Sequence, residues 1–184
     1  MTRTDTKQVS RTARGSNHAP APLARATIGP QLVAAIRNVV GEAGIVTGRS
    51  PLKVYECDGY TLEKEAPGLV VLPATTAEAS RVIALLDAAG VAFVPRGAGT
   101  GVSGGCLPVG GSVMIGTSRM RRIRRIDYEN RMAEVEAGVV NLEVTRTVEA
   151  RGLYYAPDPS SQSACTIGGN IAENSGGPHT LKYG

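Results

Sequence analysis

The sequence predicts an α/β fold, and two observations carry that prediction. Short apolar runs of strand length alternate with segments of helical period, and the strand–helix–strand spacing between residues 68 and 94 is that of a parallel α/β unit. Glycine supplies 23 of the 184 residues without a fixed G-X-Y period, and nine of these are gathered in two blocks. Such blocks are built loops, not collagen or low-complexity chain. The length suits about one domain with an ordinary core.

Residues 1–28 read as a disordered basic leader, rich in Thr, Ser, Arg, Ala and Pro and without apolar period. They lack the apolar core of a secretory signal. A basic, acid-poor leader also has the composition of an organellar transit peptide, but no amphipathic stripe accompanies it. A helix follows over 30–40, with Pro30 at its first position and Leu32, Ile36, Val39 and Val40 as its stripe. Ile45–Tyr60 reads as irregular, and Gly68–Leu72 as a strand ended by Pro73. Thr75 to Glu78 forms a capping box, Ala79, Val82, Ile83 and Leu86 share one face, and Gly90 closes that helix. Val91–Val94 reads as a buried strand, and Val113–Ile115 and Ala133–Val139 as further strands. A helix over about 141–150 has Asn141 as its cap and Gly152 beyond its end.

Charge and cysteine usage narrow the function classes. Residues 1–30 carry the whole net charge of +4, and the remainder is balanced. A nucleic-acid-binding domain would carry its charge on the folded body, so that class is excluded. No run of 18 apolar residues exists to span a membrane. Three cysteines without C-x-x-C spacing argue against a disulfide framework and a zinc site, and for a reducing, cytoplasmic compartment. Peripheral membrane association through partner subunits stays open.

The first glycine block, Pro95–Gly105, follows directly on a strand. Its glycines let the backbone turn freely and let a ligand approach, and successive bare N–H groups form an anion cradle suited to a pyrophosphate. The hydroxyls of Thr100 and Ser103 add donors. Gly99-x-Gly101-x-x-Gly104 matches the dinucleotide fingerprint formally, but that motif opens a helix. Here Cys106 to Gly111 includes Pro108 and leads back to a strand, and Arg119–Arg125 fills the place of the expected acidic residue. The block is a phosphate loop between two strands.

The second block, Pro157–Gly177, combines two stiffening prolines, a run of small polar side chains and the pairs Gly168-Gly169 and Gly176-Gly177. It is expected to bare backbone amides along a flat polar ligand. Two such loops suggest one elongated ligand gripped twice.

Pro95–Gly105 together with Pro157–Gln162, Ala164–Asn170, Ala172–His179 and Leu181–Gly184 resembles the FAD-binding domain of the vanillyl-alcohol oxidase / p-cresol methylhydroxylase (PCMH) type. Within it, the motifs resemble the branch holding the glycolate oxidase FAD subunit and the D-lactate and D-2-hydroxyglutarate dehydrogenases. Ile126–Asp127, Glu129–Arg131 and Val135–Val139 fit the same branch. The resemblance covers residues 29–184 and implies an α+β / α/β domain whose first subdomain is complete and whose second is truncated. It also implies that the antiparallel half, the substrate-binding cap, the substrate arginines and the catalytic histidine belong to sequence after Gly184, so no catalytic residue is assigned.

The resemblance implies FAD contacts from Arg96, Gly97, Ala98, Gly99, Thr100, Gly101, Ser103, Gly104 and Gly105 in the first block. In the second it implies Pro157, Asp158, Ser161, Ser163, Thr166, Ile167, Gly168, Asn170, Ala172, Asn174 and Gly176. Covalent relatives carry a histidine where this chain has Thr100, so non-covalent FAD is implied, with His179 a remote alternative. The implied partners are a small 2-hydroxy acid and an electron-acceptor subunit or a C-terminal chain. Three other features read as structural. The arginine run is a solvated strand end offset by Asp127 and Glu129, Cys165 is a buried small side chain more than a reactive thiol, and Tyr154-Tyr155 is packing at a strand start.

Overall fold

The computed structural model describes residues 27–183, so all but the last two residues of the expected leader fall outside the described residues. A four-stranded mixed sheet forms the first half, from β1 (Ile45–Val46), β2 (Leu69–Val71), β3 (Phe93–Arg96) and β4 (Val113–Gly116), in the order β1-β2-β4-β3. β2, β4 and β3 run parallel, and β1 pairs antiparallel to β2. Every residue of β2 and β4 is buried, and period-2 alternation sends their side chains to two faces. Leu69, Val71, Val113 and Ile115 pack with Ile36, Val40, Val82 and Leu86 of helices α1 (Pro30–Val40) and α3 (Thr76–Ala88). Val70 and Met114 face Leu52 of the short helix α2 (Arg49–Leu52). Each fully buried aliphatic side chain contributes about 1.5–3 kcal/mol by leaving water.

The capping box at α3 forms: Glu78 N–H donates to Thr75 Oγ1 at 3.1 Å, and Glu78 Oε2 accepts from Ala74 N–H at 2.7 Å. The return bond thus lands one residue before the cap itself. The strand expected at Val91–Val94 is a correction. It lies at Phe93–Arg96, on the sheet edge, with Phe93 39% exposed. An edge position also accommodates Pro95, which has no N–H to donate. Ile45–Tyr60, expected as irregular, holds β1, α2 and a 3-10 turn at Lys53–Tyr55.

The second half is an antiparallel ribbon, β5 (Ile123–Asp127) with β6 (Met132–Val135), packed with α4 (Asn141–Val148) and α5 (Ile167–Glu173) around Val139, Val144 and Ile167. A last short helix, α6, spans Thr180–Tyr183. β6 stops four residues before the expected Val139, because residues 136–139 turn to reach α4. The arginine run is the strand β5 and its approach, not a strand end. Four of its five charges are individually held: Arg119 donates to the carbonyls of Val40 and Leu72, and Arg125 pairs with Asp127 at 3.0 Å. Arg122 and Arg124 meet Glu136 at 2.8 and 3.3 Å, so Glu136 takes the offsetting role expected of Glu129. Tyr154-Tyr155 begins no strand; Tyr154 is 62% exposed, while Tyr155 packs partly against the Val139 cluster.

Candidate functional site

The first glycine block leaves β3 and returns to β4 with no helix between, which removes the Rossmann reading. Among the described residues, the backbone N–H groups of Gly97 through Ser103 find no protein acceptor. Seven unpaired donors in sequence are an anion-binding surface. Gly99 and Gly104 sit at φ +73° and +76°, where a Cβ would strain the turn. At Gly99 a Cβ would also strike the Arg96 guanidinium, which lies behind the loop. There Arg96 donates to the Cys57 carbonyl at 2.9 Å and to Cys106 Sγ at 3.4 Å.

The second block behaves differently. It was expected to bare its amides, and it spends most of them on itself. Gln162 and Cys165 donate to the carbonyls of Pro159 and Ser161, Ile167 to Val139, Gly168 to Ala137, and Asn170 to Thr166. The reason is α5, a helix that the glycine-rich composition concealed. Thr166 caps it, its Oγ1 accepting from Gly169 N–H at 3.2 Å. Asn174, left-handed at φ 52°, ends it.

Both blocks nevertheless line one cleft of about 380 Å³, within the range of small-molecule sites of about 300–1,000 Å³. Gly97, Ala98, Gly99, Thr100, Gly101 and Ser103 form one wall, and Ser161, Thr166 and Asn170 the other. The walls come so close at Gly97 that a Cβ there would strike the Thr166 hydroxyl. Pro157, Asn174 and Gly176 line a neighbouring hollow of about 190 Å³, which Asn170 joins to the cleft.

The remaining expected residues sit elsewhere. Gly104 donates its N–H to Asp58, Gly105 abuts the Glu173 carboxylate, and Gly168 packs on Ala137. Ser163 and Ala172 face solvent, and Ile167 belongs to the core. Asp158 meets His179 Nδ1 at 2.8 Å, and His179 does not line the cleft.

Three residues of the cleft had no sequence signal. Asp58, from the stretch read as irregular, is only 5% exposed. Cys106 lines the cleft as a thiol whose pKa burial pushes up, Arg96 opposing and Asp58 and Glu173 adding to the rise. A thiol held in its neutral form is a poor nucleophile. Glu173, the last residue of α5, brings its carboxylate to the cleft beside Gly101 and Gly105. Asn141, expected as a helix cap, is the first residue of α4, buried, and donates through Nδ2 to the Pro157 carbonyl and to Asn170 Oδ1, both at 2.9 Å. Cys165 is buried as expected, with Asn170 Nδ2 donating to its sulfur at 3.2 Å.

The family of FAD binding domains matches residues 67–184, a span that takes in both blocks. The chain belongs to that family. It is 48% identical over 130 residues to the glycolate oxidase subunit GlcD of Escherichia coli K12, covering 71% of this chain and 26% of that protein. The D-lactate dehydrogenase of Anaerostipes hadrus is 37% identical over 121 residues, covering 66% and 25%. The chain thus spans about a quarter of the length of the curated relatives it matches. An alkyldihydroxyacetonephosphate synthase structure superposes with a TM-score of 0.76 at 24% identity, covering 91% of this chain and 33% of that one. Substrate-bound p-cresol methylhydroxylase gives 0.61 at 19%, covering 77% and 28%. At that identity the likeness concerns the fold, and the fold is of the PCMH type.

FAD is the cofactor of this FAD-binding domain. The cleft suits it: a row of free N–H donors fits a diphosphate, and the wall is glycine where a ligand must come close. No Lys or Arg lines the cleft, so the donors are dipoles, not cations.

Proposed function

We propose that this chain is the FAD-binding portion of a flavin-dependent oxidoreductase of 2-hydroxy acids of the glycolate or D-lactate class. The observation that carries the reading is the cleft itself, lined on one side by seven successive residues whose N–H groups have no protein acceptor and on the other by Ser161, Thr166 and Asn170. The substrate class follows from the relatives, a glycolate oxidase subunit and a D-lactate dehydrogenase. FAD, when bound, supplies the acceptor for a hydride from the hydroxyl-bearing carbon, and the electrons pass on to an acceptor other than NAD. The chain's own residues bind and orient. Gly97–Ser103 hold the diphosphate, and Ser161, Thr166 and Asn170 form the opposite wall. Thr100 stands where covalent relatives carry the histidine that bonds the flavin, so the cofactor is held without a covalent link through that position.

A second reading is that the chain binds FAD without turnover and works only with a partner polypeptide. An apolar hollow of about 870 Å³ between the ribbon, α4 and α5 favours it, with Met132, Tyr154 and Ile171 more than 60% exposed around it.

The test is a visible absorption spectrum of the purified chain after incubation with FAD and desalting. A flavin band that is retained, and that acid denaturation then releases, is expected. Turnover of glycolate or D-lactate by that sample separates the first reading from the second. A colourless protein would remove both for the isolated chain.

A further inference from the structure

Asp58 is a buried carboxylate with no cationic partner within salt-bridge distance among the described residues, and it lies outside all three apolar clusters. Burying a charge is costly unless its lone pairs are met. Here backbone amides meet them: Oδ1 accepts from Tyr60 N–H at 2.8 Å and Oδ2 from Gly104 N–H at 2.9 Å. The neighbouring bonds repeat the pattern. Gly59 N–H donates to the Gly101 carbonyl at 2.8 Å, and the Cys57 carbonyl accepts from Arg96. Further along, Glu65 Oε1 accepts from Gly111 N–H at 3.3 Å and Gly68 N–H donates to the Gly111 carbonyl. Residues 57–68 are therefore a strap bonded to the first glycine block at Arg96, Gly101 and Gly104 and to the turn beyond it at Gly111.

We propose that Asp58 is the positioning residue of the FAD diphosphate cradle. Resting on the reading of the cleft as the FAD site, it pins the turn at Gly104 from the edge of the cleft, through the Gly104 N–H. The N–H groups of Gly97–Ser103 then stay aimed at the cleft before any ligand arrives. A glycine-rich loop is otherwise the most mobile kind of chain, and ordering it at the moment of binding would cost affinity. Arg96 supports the same turn from the other side, beneath Gly99.

The experiment compares the full chain with Asp58→Ala and Asp58→Asn, using FAD and ADP as probes and backbone ¹⁵N relaxation of the FAD-free proteins as an independent measure. Asp58→Ala should weaken FAD and ADP alike by about tenfold, the equivalent of one lost charge-assisted bond. Relaxation should show new mobility over residues 97–104, with α3 and β4 unchanged. Asp58→Asn, which keeps one acceptor, should show a smaller loss, and it carries the test if the alanine variant does not fold. A loop as rigid in both variants as in the parent would overturn the proposal, as would affinities within about twofold of the parent for both probes. If the parent itself binds neither probe, the FAD reading of the isolated chain fails, and the relaxation data alone decide the role of Asp58.

Discussion

The two glycine-bearing blocks line one cleft and have opposite fates. Gly97–Ser103 leave their N–H groups unpaired and depend on a strap from elsewhere in the chain to hold them. Residues 160–176 fold on themselves, donate most of their amides internally and become a capped helix. Glycine content alone therefore does not mark a ligand-facing loop. What separates the blocks is the local context. The second has a hydroxyl at the cap position and apolar Ile167 to seat a helix, whereas the first is stretched between two parallel strands with Pro108 beyond it.

The sharpest way to break that comparison is to add one methyl group to each block. In Gly168→Ala the new Cβ would sit 2.9 Å from both the Cβ and the carbonyl oxygen of Ala137, part of which is backbone and cannot yield. The substitution should cost about 2 kcal/mol of overpacking, net of alanine's better helix propensity. A melting temperature about 4–8 °C lower follows for a chain of this size. In Gly101→Ala the Cβ meets only Glu173 Oε1, at 3.5 Å, and the stability should hardly change. Its effect belongs to the cleft, as weaker FAD binding at an unaltered melting temperature. Equal melting shifts in the two variants would contradict the division of roles.

Removing the cap is a smaller perturbation of the same kind. Thr166→Ala leaves Gly169 N–H without its acceptor and should cost about 1 kcal/mol, with Thr166→Ser restoring most of it. Because the Thr166 hydroxyl lies where the two walls come closest, beside Gly97, the alanine variant should loosen their junction and weaken FAD binding along with stability. Differential scanning calorimetry with and without FAD separates the two effects. A variant that melts earlier but binds FAD as the parent does would confine Thr166 to the helix.

These contacts also explain what the sequence could and could not disclose. α1, β2, α3 and β4 were legible, because periodic apolar residues, Thr75 with Glu78, and Pro30 are local signals. α5 was not, since glycine and asparagine lower helix propensity and the helix stands on its cap and on docking against Ala137. β5 was hidden by the arginines in it and just before it, in a ribbon with little buried face, and β1 is only two residues long. In the site, the two blocks were legible from their residue types. Asp58 was not, because Gly104, to which it bonds, lies 46 residues away.

Acid offers the gentlest test of the difference between the blocks. α5 is moored through Gly168 N–H to the Ala137 carbonyl, and the adjoining Glu136 fixes that turn. Glu136 Oε2 accepts from the Arg122 amide at 2.9 Å, and Oε1 accepts from the Arg122 and Arg124 guanidiniums. The Arg122 side chain and amide, aided by Arg124, hold the Glu136 carboxyl down from 4.5 to about 2. A group depressed in the folded state stabilises it fully above its unfolded value, so this contribution is present above pH 4.5 and is lost as the pH falls toward 2. In that window the parent should lose stability more steeply than Glu136→Gln, whose amide does not titrate. Parallel acid melts of the two proteins check this. Amide exchange should show the loss first at Gly168 and its neighbours in α5, because the turn that receives their hydrogen bonds is the part the carboxylate holds. Identical acid limbs would mean that the Arg122 and Arg124 contacts decorate an already rigid turn, and that the second block is anchored by Thr166 and the packing of Gly168 alone.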